Sequence, residues 1–331
     1  MATQPPHERA DVKPITVRNG FFWIPGELVE TPYGTATRGP LYVAWLAPEE
    51  VTGRFPLVLV HGGGGQGTDW LGTPDGRPGW ALDLVNAGYA VYVVDRPGHG
   101  RSPHHPEVLG APTPPFPLEG ASALFAPAGA EDAHTQWLWG RGFTDPEFAQ
   151  MYSAMSFFMA DFPASQDLDG DRIAALLEQT GPAVLVTHSA GSPGGWLAAN
   201  RRPDLVAGIV AVEPMGPPFA EFPGLGPITY GLTYAPLVTE PPLDDPAQLR
   251  DDPSGYRVPG LADKPVLVMT GGASPNAHGG PPTVEFLTAV GARAELLHLP
   301  DKGIEGNGHG LVFEANSAEV VQPAIEWIEG L

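Results

Sequence analysis

The stretch AVLVTHSAG, residues 183–191, decides how the rest of the chain is read. Residues 183–186 form a short apolar run of the kind that builds a fully buried strand. They are followed at once by THSAG and then by a helical pattern over 194–200. A sharp strand-to-helix turn leaves room only for small residues beside its central side chain, and it holds that side chain exposed. Ser189, flanked by Ala190 and Gly191, meets this requirement, with Thr187 where a glycine commonly stands. Strand, turn and helix together read as a nucleophile elbow with Ser189 as nucleophile. The alternative is a serine in a tight structural turn.

Outward from the elbow, short β-branched runs alternate with helical patterns, which predicts an α/β fold with a mostly parallel central sheet and helices on both faces. Strands are expected at 15–24 and 41–46, pairing antiparallel at one sheet edge, and at 55–60, 90–94, 183–186, 207–212, 265–269 and 294–297. Helices are expected at 80–86, 171–179 and 318–329. No internal repeat is present, and residues 1–331 read as one domain. Two Pro- and aromatic-rich stretches, 103–165 and 214–263, interrupt the rhythm at the carboxyl ends of predicted strands, where open α/β sheets bind ligands. They read as a cap over the site, with ordinary core aromatics and surface loops as the alternative.

The run FPLVLV at 55–60 leads straight into HGGGGQG at 61–67. Glycines let backbone N–H groups approach a developing oxyanion closely. The expected donors are the amides of Ala190 and Gly63, with Gly64 as the second choice to Gly63. Phosphate binding by this loop lacks the Lys-Ser/Thr that would follow it. Among ten histidines, His309 in GNGHG (306–310) lies in a glycine-rich loop between the last strand and the final helix, where an imidazole can reach the elbow. It is the expected general base. His61 reads as structural, His188 as pointing away from Oγ, His298 as part of a strand and His278 as solvated. For the orienting acid, TGGASPN at 270–276 offers no carboxylate, whereas the preceding strand GIVAV ends in Glu213. Glu213 is therefore the expected acid, with Asp301 and Glu305 as alternatives and Asp95 bracing the turn DRPGHGRS.

Composition narrows the function classes. The 331 residues carry 38 Asp+Glu against 17 Lys+Arg, a formal charge of −21, with lysine only at Lys13, Lys264 and Lys302. Neutralising phosphates takes clustered Lys/Arg, so no nucleic-acid partner is expected; an anionic membrane surface is disfavoured for the same reason. No apolar run approaches the ~18 residues of a membrane-spanning helix. The absence of cysteine removes disulfides, thiolate metal sites and a Cys nucleophile. His104-His105 has no spaced carboxylates to complete a metal site, so no metal is expected. The N-terminal MATQPPHERADVKP lacks the apolar core of a leader, and the cytoplasm is the expected compartment.

In this order, HGGGGQG, DRPGHGRS, THSAG, VEP and GNGHG resemble the α/β-hydrolase family, from about Phe55 to the C-terminus. More narrowly, the chain is similar to bacterial Ser–Glu–His esterases whose acid follows the sixth strand. The run from Thr68-Asp69-Trp70 through Thr73-Pro74-Asp75-Gly76-Arg77 to Gly79-Trp80 shares in that similarity. The resemblance implies hydrolysis of a small-molecule ester without metal or organic cofactor, and a homodimer. Those esterases carry two cysteines after His-Gly where this chain has Gly63 and Gly64, so no redox property is expected. Trp137, Trp139, Phe158 and Met215 are the expected substrate contacts, suited to an apolar or aryl group. The same Ser189, His309 and Glu213 would also serve a lactonase or another acyl hydrolase or transferase, and a non-catalytic ligand-binding protein on this fold is the remaining alternative.

Overall fold

The computed structural model describes residues 15–222 and 225–331. The stretch read for a leader, residues 1–14, lies outside them. The strands are β1 (Arg18–Ile24), β2 (Glu27–Thr31), β3 (Gly34–Arg38), β4 (Leu41–Ala47), β5 (Leu57–Val60) and β6 (Val91–Asp95). They continue with β7 (Ala183–His188), β8 (Val206–Val212), β9 (Glu221–Phe222), β10 (Gly226–Pro227), β11 (Pro265–Thr270) and β12 (Arg293–His298). Eight of them form one sheet in the order β1-β4-β6-β5-β7-β8-β11-β12. The β1/β4 and β4/β6 pairs are antiparallel, and the rest of the sheet is parallel.

The helices are α1 (Thr68–Leu71), α2 (Trp80–Asn86), α3 (Pro106–Leu109), α4 (Leu118–Phe125), α5 (Pro146–Ser153) and α6 (Phe162–Thr180). After the elbow come α7 (Ser192–Arg201), α8 (Ala247–Asp251), α9 (Gly280–Ala289), α10 (Ser317–Val320) and α11 (Gln322–Glu329). Because successive strand side chains point to opposite faces, each central strand feeds two cores. Leu57 and Leu59 pack with α2, α10 and α11, while Val58 and Val60 pack with α6, α7 and α9. Fully burying one such side chain contributes roughly 1.5–3 kcal/mol, and both faces need a helical layer to do so.

The expected fold class is the one observed, with differences at element ends. Helix α6 begins at Phe162 rather than 171, because the Asp161 carboxylate accepts a bond from the Ala164 N–H at 3.0 Å and Pro163 suits a first turn. The pattern at 318–329 is two helices, since Pro323, in the first turn of α11, has no N–H to continue a ladder from α10. The exposed β2–β3 hairpin, turning at Gly34 with φ +116°, was not expected. Helices α3, α4 and α5 come from residues 103–165, and β9, β10 and α8 from 214–263. Both stretches send side chains to a cavity at the carboxyl ends of β5, β7 and β8.

Candidate active site

Ser189 follows β7 directly and has φ +50°, the left-handed region that a residue with a Cβ rarely enters. Such a residue costs of order 1–3 kcal/mol and persists where its surroundings over-determine it. Here the Met215 N–H donates to the Ser189 carbonyl at 3.1 Å. Gly191 is required next to it, because a Cβ there would lie 2.3 Å from the His61 carbonyl oxygen. The short 3-10 turn Ser189–Gly191 then runs into α7, so the strand-turn-helix geometry read from residues 183–200 is present.

His309 Nε2 lies 3.0 Å from Ser189 Oγ, and His309 Nδ1 lies 3.2 Å from Glu213 Oε2. Both His309 and Glu213 are 1 % exposed. Glu213 also has positive φ, +47°, and its N–H is held by the Met269 carbonyl at 2.8 Å. Its Oε1 accepts from the Gly271 N–H at 2.7 Å and its Oε2 from the Ser274 hydroxyl at 2.5 Å. With Nδ1–H donating to the carboxylate, the Nε2 lone pair faces the serine hydroxyl. This arrangement can lift a proton from Oγ and keep the resulting imidazolium paired.

His188 sits beneath His309, with ring centroids 5.0 Å apart. Its Nε2–H donates to the His309 carbonyl at 3.0 Å. Burial, then the neighbouring His309, pushes its pKa down to about 3, so it stays neutral. It supports the His309 backbone and lies off Oγ, as expected. His61 Nδ1 bonds the Gly62 carbonyl at 2.9 Å and its Nε2 accepts from the Arg96 N–H at 3.0 Å, also as read. Asp95 braces its turn by accepting from the Gly67 and Arg101 N–H groups, each at 2.7 Å, and from the Arg101 guanidinium.

The glycine loop passes close to the elbow. A Cβ on Gly63 would meet the Phe158 ring at 2.6 Å and the Ala190 Cβ at 3.1 Å. Among the described residues the Gly63 N–H makes no hydrogen bond. Gly64, with φ +66°, accepts from the Ser156 N–H through its carbonyl at 2.7 Å, which ties the loop to residues of the 103–165 stretch. Asp301 and Glu305 are exposed, and the carboxylate beside His309 Nδ1 is that of Glu213. His278 is exposed and bonds the Pro275 carbonyl; His298 Nδ1 pairs with Thr270 Oγ1 at 3.0 Å. His105 caps α3, and His104 packs on Phe157.

The cavity over Ser189 measures about 790 Å³ and is largely apolar. Phe158 and Met215, two of the expected substrate contacts, line it; Phe125, Phe162 and Phe222 join them. Trp137 and Trp139 do not line it. They pack on each other and on the core side of α5, with the Trp137 indole N–H donating to the Gly140 carbonyl, because a buried tryptophan needs a partner for that group. Three residues here escaped the sequence reading: Ser274 on Glu213, Asn276 with its amide 3.3 Å from His309 Nδ1, and Arg96 beneath the glycine loop. Their only signal was polar character in turns already assigned to structure.

Comparison with known proteins bears on the family and the fold. A fungal protein named probable secreted lipase phiG (Fungal sp., strain ATCC 74256) is 34 % identical over 312 residues, covering 87 % of this chain and 85 % of its own. A structure reported as a novel bacterial esterase superposes with a TM-score of 0.72 at 24 % identity, over 96 % of this chain and 97 % of that one. Residues 56–234 match the family described as alpha/beta hydrolase fold. The chain belongs to the α/β-hydrolase family.

Proposed function

We propose that this protein is a serine carboxylester hydrolase that works through an acyl-enzyme on small to medium esters with an apolar or aryl group. The observation that carries the reading is the relay from Ser189 Oγ to His309 at 3.0 Å and on to Glu213 at 3.2 Å, opening onto an apolar cavity. The name of the fungal relative, a lipase, supports ester chemistry. That name also says secreted, which argues against the expected cytoplasmic location.

In this mechanism Ser189 Oγ attacks the ester carbonyl while His309 takes its proton and Glu213 holds the imidazole. The N–H groups of Gly63 and Ala190 receive the oxyanion; losing one such donor costs ~10²–10³ in turnover. His309 then protonates the leaving alkoxide, and water activated by the same imidazole releases the acid. Labelling with a fluorophosphonate, followed by peptide mapping, tests the assignment. A single adduct on Ser189 is expected, with Ser189→Ala losing the label and ~10⁴-fold or more of kcat. Esterase activity that survives Ser189→Ala overturns it.

A further inference from the structure

We propose that Arg96 is a positioning residue that aims the Gly63 N–H at the oxyanion, an inference resting on the reading of Gly63 as an oxyanion donor. Arg96 is 3 % exposed, and its Nη2 donates to the Gly62 carbonyl at 2.9 Å. Its backbone N–H donates to His61 Nε2 at 3.0 Å. That bond places the His61 proton on Nδ1, which donates to the same Gly62 carbonyl at 2.9 Å. One arginine thus supplies a donor to this oxygen directly and selects the tautomer that supplies a second. Burial and the adjacent guanidinium hold the His61 pKa well below its usual value, so the ring stays neutral and this tautomer persists.

The Gly62–Gly63 peptide is trans. In a trans peptide the carbonyl and the next N–H point in opposite directions. Pinning the Gly62 oxygen into the buried side therefore turns the Gly63 N–H the other way, toward the cavity that Gly63 lines with Ser189 and Ala190. Without the pin, a Gly-Gly peptide rotates readily, and a flipped peptide would present a carbonyl to the oxyanion. The guanidinium also polarises the peptide it touches, which strengthens the N–H as a donor. Asp169, 1 % exposed, accepts from Arg96 Nη1 at 2.7 Å and makes the buried charge tolerable.

A merely structural ion pair would predict a loss of stability alone, so the test reads the transition state. Removing one partner strands the other in the core; the paired variant Arg96→Met with Asp169→Leu removes both charges. With p-nitrophenyl butyrate, kcat is expected to fall ~10–10²-fold with KM within about twofold. Affinity for a trifluoromethyl ketone, which forms a tetrahedral adduct on serine, is expected to fall in proportion to kcat/KM. A folded variant with wild-type kcat and ketone affinity overturns the inference. Should the pair not fold, Arg96→Lys is read instead: its single amine cannot bridge Asp169 and Gly62 as a planar fork does. A kcat about tenfold lower at unchanged KM is then expected, and wild-type kcat overturns the role. Loss of activity in Ser189→Ala with wild-type kcat in the Arg96 variants refutes the positioning role alone. Activity surviving Ser189→Ala refutes the function and this inference with it.

Discussion

At His309 Nδ1 two side chains converge from the ends of neighbouring strands, Glu213 after β8 at 3.2 Å and Asn276 after β11 at 3.3 Å. Only the carboxylate can stabilise an imidazolium, so Glu213→Gln is expected to lower kcat by ~10²–10⁴. Because Asn276 already reaches the same nitrogen, adding Asn276→Asp should recover at least ~10-fold of that loss. Steady-state kinetics of the single and double variants checks this, and no recovery would mean that the second position is unable to orient the ring. Glu213 was legible because GIVAV ends in it and the next strand's loop has no acid. Ser274 and Asn276 were not: a polar side chain in a glycine-rich loop gives no periodicity, and its target is set by a strand distant in sequence. Trp137 and Trp139 misled for a related reason, since aromatic content in a presumed cap does not say which face meets the cavity.

At the scale of the element, the loop bearing His309 is fixed from below by one buried carboxylate. Glu314 accepts from the Gly308 N–H at 3.0 and 3.1 Å, from Asn307 Nδ2 at 2.9 Å and from His134 Nε2 at 2.9 Å. His134 belongs to the 103–165 stretch, which the Gln136 N–H also ties to the Gly306 carbonyl at 3.0 Å. Hydrogen bonds to a charged group contribute ~1.5–3 kcal/mol each when buried. Glu314→Gln replaces one acceptor oxygen by a donor that faces other donors. The variant is expected to lose about 2 kcal/mol of stability and about tenfold in kcat. Chemical denaturation checks the first, and faster hydrogen exchange at Gly308 would localise it to this loop; unchanged exchange would show that the loop is held by other contacts. The central strands could be read from continuous apolar runs, because both faces of the sheet are buried there, and α2 from its helical pattern. The early start of α6 and the break before α11 depended on single Asp and Pro residues whose capping and breaking roles compete with a continuous pattern. Exposed β2 and β3 carry little apolar patterning at all.

For the whole molecule, a formal charge of −21 means that ionising one more carboxylate in a poorly solvated place is costly to the folded state. Asp69 is such a group. It lies on the cavity wall beside the glycine loop, its carboxylate accepts among the described residues a 3.3 Å bond from the Gln66 N–H alone, and Asp95 is nearby. Burial first, and Asp95 second, raise its carboxyl to about 7 from the ordinary 3.8. The sign follows from linkage: with the folded pKa above the unfolded one, the folded state binds more protons between these values. The stabilising contribution is therefore full below about pH 4 and is lost as pH rises through about 7. Asp69→Asn keeps the polar shape and cannot ionise. Between pH 5 and 8 the melting temperature of the native protein should fall relative to that of Asp69→Asn, with the gap opening most steeply across the range from about 5 to about 7. Melting curves of both proteins in buffers of equal ionic strength measure it. A difference in melting temperature that stays constant over that range would show that Asp69 ionises freely, in water rather than against the cavity wall.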